Sequence, residues 1–229
     1  MVGLIGIGLY TPAEAARLLS LPAATISRWL RGHSANGRQY PPLWSPQIEL
    51  GDDRTYLGFR DLMEVRVAAA FISAGVSAQR VRAAIELARE VVGLDRPLST
   101  DRFRTDGRDI FLRVVERDED GRERAQLLNT FRRQYAFAEI IDPSLKGIEF
   151  DEHGIPALWR PLGKRGIVID PERSFGQPID EASSVPTAAL AAAAHQEGVE
   201  IAARIYEVPA TSVRRAMTFE AEFGTRLAA

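Results

Sequence analysis

Thr11-Pro12-Ala13-Glu14 is the stretch that most restricts how this chain can fold. Threonine at an N-cap, proline at the first helical position and glutamate two residues later form a capped helix start, because the side chains satisfy backbone N–H groups that the helix leaves open. The pattern predicts a helix to Leu19, a turn at Ser20-Leu21 and a second helix from Pro22 towards Arg31. Two short helices joined this tightly make a helix-turn-helix candidate. Ala15, Leu19, Leu21, Ile26 and Trp29 fall where the helices meet each other and the rest of the domain, with the small Ala16 at their crossing. Pro22, Ala23, Ala24, Ser27, Arg28 and Arg31 are left outside. That face is small, polar and basic, as a helix entering a major groove requires. An ordinary helical hairpin with a solvated arginine face would share the pattern.

Leu43-Trp44-Ser45 and Thr55-Tyr56-Leu57 flank the turn signal Gly51-Asp52-Asp53 and predict a β-hairpin, which would be a wing after the recognition helix. Arg38, Arg54 and Tyr56 would reach phosphates from it. Phe59 to Ala74 is expected as a strongly amphipathic helix ended by Gly75. Ser77 caps another, from Ala78 to about Val92, with Val81, Ile85 and Leu87 inward.

The run from Tyr10 to about Gly93 resembles the MerR-like winged helix-turn-helix domain. Its matching pieces are Tyr10 to Leu19, Ala24-Thr25-Ile26-Ser27-Arg28-Trp29, Arg54 with Tyr56, Asp61-Leu62, and Ala74-Gly75-Val76-Ser77. The resemblance implies that Thr25, Ser27, Arg28 and Arg31 face DNA, with Ala24 beside them and Arg54 and Tyr56 on the backbone. The long segment Gly32 to Pro42 departs from the family pattern and leaves the position of the wing open.

Residues 15–23 recur as residues 202–210, and Thr25-Ile26-Ser27-Arg28 recurs as Ser212-Val213-Arg214-Arg215. Small residues match small, apolar match apolar and proline matches proline. A second helix-turn-helix is expected there, with Arg214 and Arg215 outward, contacting either nucleic acid or protein. Its surroundings resemble a small antitoxin-associated domain through Ile167 to Pro171, Phe175-Gly176-Gln177-Pro178-Ile179 and Val185-Pro186-Thr187. The family's Gly-Thr-Arg before the last motif is replaced here by Ala182-Ser183-Ser184. The combination resembles VapB-type antitoxins. That implies operator DNA and a PIN-domain ribonuclease toxin as partners of a homodimer, with Arg173, Ser212, Arg214 and Arg215 as toxin-facing or second nucleic-acid-facing candidates. The alternative is a stand-alone MerR-like regulator with a ligand-sensing C-terminal half.

Between these parts, Asp109 to Val115 is expected as a strand and Arg124 to about Glu139 as a helix with Leu127, Leu128, Phe131, Tyr135 and Phe137 apolar. Ile148-Glu149-Phe150 and Ala157-Leu158-Trp159 predict a hairpin around Asp151–Gly154, with the middle aromatics forming the core of this insert. Pro97, Pro161 and residues 163–166 mark expected joints. The fold class is therefore mainly α with small β elements: a winged helix-turn-helix over 1–93, an α+β middle region over 94–162 and a C-terminal trihelical domain over 163–229.

Other chemistries find little support. With 229 residues, 45% hydrophobic and 26% charged, the chain can bury a core, and it has no cysteine for disulfide, thiolate or Cys-zinc chemistry. Its net charge of −2 argues against non-specific nucleic-acid binding but leaves room for a local basic face. Gly3, Gly6 and Gly8 are in the wrong order for a dinucleotide loop and predict a flexible arm. His33, His153 and His195 lack metal spacing, and Asp118-Glu119-Asp120-Gly121 reads as an exposed turn. No signal peptide or membrane span is recognisable; Ala188 to Ala194 is too short. A cytoplasmic, non-enzymatic protein without cofactor is the expectation.

Overall fold

The computed structural model describes residues 5–35, 37–116, 134–163 and 166–225. Among these, helices dominate, with two small antiparallel sheets. Helix α1 (Pro12–Leu19) opens with the expected capping box: Thr11 Oγ1 accepts from the Glu14 amide and the Glu14 carboxylate accepts from the Thr11 amide. Ser20, at φ 56°, ends it in the left-handed region, and α2 (Ala23–Arg31) follows Pro22. Ala15, Ala16, Leu18, Ile26 and Leu30 are buried between the two helices and the core, whereas Leu19, Leu21 and Trp29 are only half-buried. Leu18 and Leu30 thus take inner positions that the sequence reading gave to their neighbours.

The wing is not where the sequence placed it. Strands β1 (His33–Ala35) and β2 (Arg38–Tyr40) pair directly after α2, while Leu43 and Trp44 are core residues. Residues 48 and 56, and 10 and 57, meet only as isolated bridges. Burial explains the shift: Leu43 and Trp44 are buried, Trp44 donating to Asp61 at the start of α3, and cannot also form an exposed ribbon. The arm reading is corrected too. From Ile7 to Tyr10 the chain is held by backbone bonds from Phe59 to Ile7 (2.7 Å), between Tyr10 and Leu57 (2.9 Å both ways), and from Leu9 to Phe175 (2.9 Å).

Helix α3 (Phe59–Ser73) is not amphipathic but central. Nearly every face is buried, including Asp61 and Glu64 at 0% exposure. Asp61 accepts from Trp44 Nε1 (3.1 Å), the Gln47 amide (2.7 Å), the Gly58 amide (3.0 Å) and Arg96 Nε (2.5 Å). One carboxylate thereby fastens the chain leaving the wing to α3. Glu64 accepts from the amides of Leu98 and Ser99, 3.0 Å each, and burial lifts its carboxyl to about 7. Helix α4 (Ala78–Val92) starts at its Ser77 cap and buries Val81, Ala84, Ile85 and Ala88; Leu87 is half-buried.

The expected strand at Asp109 to Val115 is instead part of helix α5 (Asp101–Glu116). Thr100 Oγ1 caps it by accepting from the Phe103 amide (3.1 Å). Phe103, Gly107, Ile110, Phe111 and Val114 recur at helical spacing and are all buried. Gly107 is the residue that hid the pattern. A β-carbon there would stand 2.7 Å from Phe137 Cζ and 2.8 Å from Phe103 Cε1, so glycine is kept for close aromatic packing. Helix α6 (Gln134–Leu145) runs beyond Glu139; Leu127, Leu128, Phe131, the Tyr135 side chain and the Asp118–Gly121 turn lie outside the described residues.

Phe71 of α3 stacks on Phe111 at 4.4 Å, and Phe103 and Phe137 complete the cluster. The middle aromatics therefore share a core with the N-terminal helices rather than forming their own. This core runs from Tyr10 to Ile169, takes in Phe219 and Phe223 near the end of the chain, and continues across residues 93/94; the expected joint at Pro97 is buried. Strands β3 (Ile148–Phe150), β4 (Pro156–Trp159), β5 (Ile167–Ile169) and β6 (Pro178–Asp180) form one antiparallel sheet in that order, spanning 162/163.

Helices α7 (Thr187–Glu197), α8 (Val199–Ile205) and α9 (Ala210–Thr225) form the trihelical unit around Leu190, Ala194, Ala202, Val208 and Val213. The repeat seen in sequence is a repeat in backbone. Ser20 and Glu207 share the left-handed conformation (φ 56° and 53°). The Leu21 amide donates to Ala16 O (3.1 Å) and the Val208 amide to Ala203 O (3.0 Å). Thr25 to Pro22 and Ser212 to Pro209 match at 2.9 Å each.

Candidate nucleic-acid interface

On α2, Ala24, Arg28 and Arg31 are exposed and Thr25 and Ser27 half-buried, with Ile26 and Leu30 anchoring the opposite face. Thr25 Oγ1 accepts from Arg28 Nη2 at 3.2 Å, steadying the arginine over the first turn of the helix. Gly32, at φ 72°, then reverses the chain; a β-carbon there would come within 2.5 Å of Tyr40 O. The reversal sends β1–β2 out beside α2, all of β2 being exposed. His33 and Tyr40 stack at 4.8 Å and stiffen the base of the hairpin. Arg82 of α4 donates to the carbonyls of Pro41 and Pro42 and pins the strand leaving it.

These elements enclose a cleft of about 760 Å³ lined by Arg28, His33, Arg38, Tyr40, Gln79 and Arg82, among others, with no carboxylate in its lining. Arg28 and Arg38, with Arg82 bonded to the Pro41 and Pro42 carbonyls beside them and no competing acid, make a surface suited to phosphate. Arg28 and Arg38 were expected here; Arg82 and the His33–Tyr40 stack were not. The sequence signal for Arg82 was available, since Ser77 fixes the start of α4, but only the fold brings that helix beside the wing.

The other expected residues gather on the opposite flank of α2. Arg31 donates to Thr55 Oγ1 and Asp53 O and so braces the loop rather than standing free. Arg54 is exposed; the Tyr56 hydroxyl donates to Asp52 (2.8 Å), a bond that also raises its pKa. Asp52, Asp53 and Glu49 share this side, so its field is weaker for an anion. The structure thus splits the expected set: Arg28 with Arg38 in one cleft, Arg31 with Arg54 and Tyr56 beside another.

The second helix-turn-helix presents a different face. Thr211, Arg214 and Thr218 are its exposed residues where α2 carries Ala24, Ser27 and Arg31. Ser212 is buried at 5% exposure. Arg215, matching Arg28, folds back towards Gly166 O (3.4 Å) and Asp180 (3.5 Å). Arg173 is held by Asp170 (2.7 Å), Glu181 O and Ser184. Arg214 points out and meets Glu200 at 2.7 Å. The unit docks on the first one: Arg17 of α1 pairs with Glu220 of α9 (3.1 Å), and the Tyr10 hydroxyl donates to Gly176 O (2.7 Å).

No group of three or more His, Asp or Glu side chains suited to a metal occurs among the described residues, and no helix there is long and apolar enough to cross a membrane.

Comparison with known proteins supports a helix-turn-helix DNA-binding domain in the N-terminal part. Residues 8–85 match a family described as "Putative DNA-binding HTH domain". The crystal structure of Rv2018 from Mycobacterium tuberculosis superposes with a TM-score of 0.70 at 28% identity, covering 93% of this chain and 99% of that one. "Uncharacterized protein Rv2308" of the same organism is 30% identical over 100 residues, 40% of this chain and 37% of its own length. "Putative antitoxin VapB45", also from Mycobacterium tuberculosis, is 30% identical over 193 residues, 80% of either chain. With its helix-turn-helix, its wing and that extent of shared sequence, the chain belongs to the VapB45 family.

Proposed function

We propose that this chain is the antitoxin of a toxin–antitoxin pair. In this reading it works in the cytoplasm as a homodimer, binds operator DNA to repress its own transcription, and neutralises a PIN-domain ribonuclease toxin through its C-terminal half. Residues 1–93 read DNA, 94–162 buttress them and 163–229 face the toxin. The observation that carries the reading is the carboxylate-free cleft between α2 and β1–β2, where Arg28, Arg38 and Arg82 converge. A duplex laid against α2 meets Ala24 and Ser27 at base edges and the arginines at phosphates, with Thr25 and Arg31 fixing the helix and Arg54 and Tyr56 touching the outer backbone. A dimer reads two half-sites and multiplies the affinity of one weak unit.

Support for the toxin-facing half is the difference between the two helix-turn-helix units. The second has lost the outward arginine pair and exposes Ile201 (39%) and Ile205 (59%) one helical turn apart, beside Arg214 across the unit. Exposed apolar residues with a basic neighbour suit a protein partner better than a phosphate backbone. Arg214 is the basic side chain best placed to leave its exposed glutamate for an acidic nuclease site. Arg173, Ser212 and Arg215 would shape this surface from beneath. The test is twofold: mobility shift of the chain on its own upstream DNA, and co-expression with the adjacent reading frame. A specific shift and a co-purifying partner whose toxicity is suppressed are expected. No shift would end the operator reading, and no partner or growth rescue would end the antitoxin reading.

A further inference from the structure

The two flanks of α2 carry opposite charge. On one, the cleft of about 760 Å³ holds Arg28 and Arg38, exposed and without an ion pair among the described residues. Its wall is aromatic as well as basic, since Trp29 is half-buried there and Tyr40 is 41% exposed. On the other flank, the loop from Glu49 to Asp53 is exposed at every position. It carries the carboxylates of Glu49, Asp52 and Asp53, against which Arg54 sets one cation. Arg31 donates to the Asp53 carbonyl, not to its carboxylate, and the Tyr56 hydroxyl leaves the charge of Asp52 in place. Leu50, between these acids in sequence, is 46% exposed. Gly51 beside it turns the chain at φ 77°, and a β-carbon there would meet nothing within 4 Å, so the tip of the loop stands in open space. A lone exposed leucine is ordinary. One flanked by carboxylates is the counterpart of an aromatic wall flanked by guanidinium groups.

The loop lies across α2 from the cleft of its own chain, so the occupant that matches the cleft is a second copy. We infer that the Glu49–Asp53 loop of one copy docks in the Arg28–Arg38 cleft of another, with Leu50 against Trp29 and Tyr40 and the loop carboxylates on the two guanidinium groups. The contact is head to tail, because it joins different faces of the two copies. Each bound copy still presents a loop at one end and a cleft at the other, so association grows with concentration instead of closing on a pair. It is distinct from the symmetric pairing that two operator half-sites require. Where the proposed function sets Arg28 and Arg38 on phosphate, loop and duplex exclude one another, and concentrated protein withholds its basic face from DNA. That exclusion alone rests on the DNA reading; the contact between copies does not. Salt also separates the two, because the contact holds few charge pairs and buries Leu50, so it should outlast the duplex as salt rises.

The experiment is sedimentation velocity of the full chain over a wide concentration range at low salt, with two complementary variants. The loop variant combines Glu49→Lys with Leu50→Ser and keeps its cleft; the cleft variant combines Arg28→Glu with Arg38→Glu and keeps its loop. All four positions are exposed, and Leu50→Ser alone, which should weaken association about tenfold, carries the same test should either pair fail to fold. Wild type should grow with concentration beyond its basal unit, monomer or symmetric pair. Neither variant alone should do so, whereas mixing them should restore larger species, because the cleft of one meets the loop of the other. Wild type that does not grow, variants that grow as wild type does, or a mixture no larger than its parts would each overturn the contact. A labelled upstream duplex added to wild type should disperse the larger species, and the loop variant should bind that duplex at least as tightly as wild type. Duplex bound with the larger species intact would overturn the exclusion. A duplex that binds none of the proteins would instead end the operator reading and leave the contact between copies standing, so the two readings fail separately.

Discussion

Replacing Arg28 by alanine tests the cleft proposed to face DNA most directly, because the prediction is a slope and not only an affinity. Arg28, Arg38 and Arg54 are exposed cations with no ion pair among the described residues, whereas Arg31 and Arg82 are spent on Asp53, Thr55 and the Pro41–Pro42 carbonyls. In the proposed homodimer, three phosphate contacts per protomer would give about six. Counterion release then predicts a slope of log K against log salt near ~−5, and a loss of roughly 10³-fold between 50 and 200 mM salt. Arg28→Ala removes one contact per protomer, so the slope should become shallower by about 2 and affinity at low salt should fall. Arg28→Lys keeps the charge and should preserve the slope while relaxing any base preference. Fluorescence anisotropy of a labelled upstream duplex, titrated at four salt concentrations, reads all three. Parallel lines for wild type and Arg28→Ala would refute the idea that this arginine sits on phosphate.

Three further outcomes follow from the interior. Burial raises the Glu64 carboxyl from 4.5 to about 7, so the folded state favours the protonated form. Its stabilisation is therefore present below about pH 4.5 and lost as pH climbs through 7. The urea midpoint should fall between pH 5 and 8 by an amount worth roughly 2–3 kcal/mol, and Glu64→Gln should flatten that dependence. Asp61→Asn leaves the buried Arg96 without its counter-charge and should cost about 3–5 kcal/mol in urea unfolding, while the pair Asp61→Leu with Arg96→Leu should recover part of the loss; an Asp61→Asn cost under about 1 kcal/mol would contradict the network's role. Gly107→Ala, which would stabilise an exposed helix by about 1 kcal/mol, should instead lower Tm because the new methyl meets Phe137 and Phe103.

Local chemistry was readable where neighbouring residues alone decide it. The Thr11–Glu14 box, the Ser77 cap and the left-handed turn shared by Ser20 and Glu207 depend on a few consecutive positions, and the sequence shows each of them. The wing was misplaced because Leu43 and Trp44 read as strand residues until α3 and Asp61 claim them for the core. Residues 109–115 read as a strand because their place in a longer helix depends on packing; the reason Gly107 can sit in that helix lies on α6, about thirty residues away. Arg82 could not be placed in the cleft beside α2 before α4 was known to lean on the wing.

Phe71 sits on the helix-turn-helix side of residue 93, and three of its ring partners, Phe103, Phe111 and Phe137, sit on the other. A fragment ending at residue 93 would lay that ring bare and strip the Asp61 carboxylate of Arg96. The helix-turn-helix part is accordingly not a portable module. It cannot be grafted onto another protein or expressed alone without an oily wound on its back, and proteolysis anywhere between residues 94 and 116 should silence it as surely as a cut in the recognition helix.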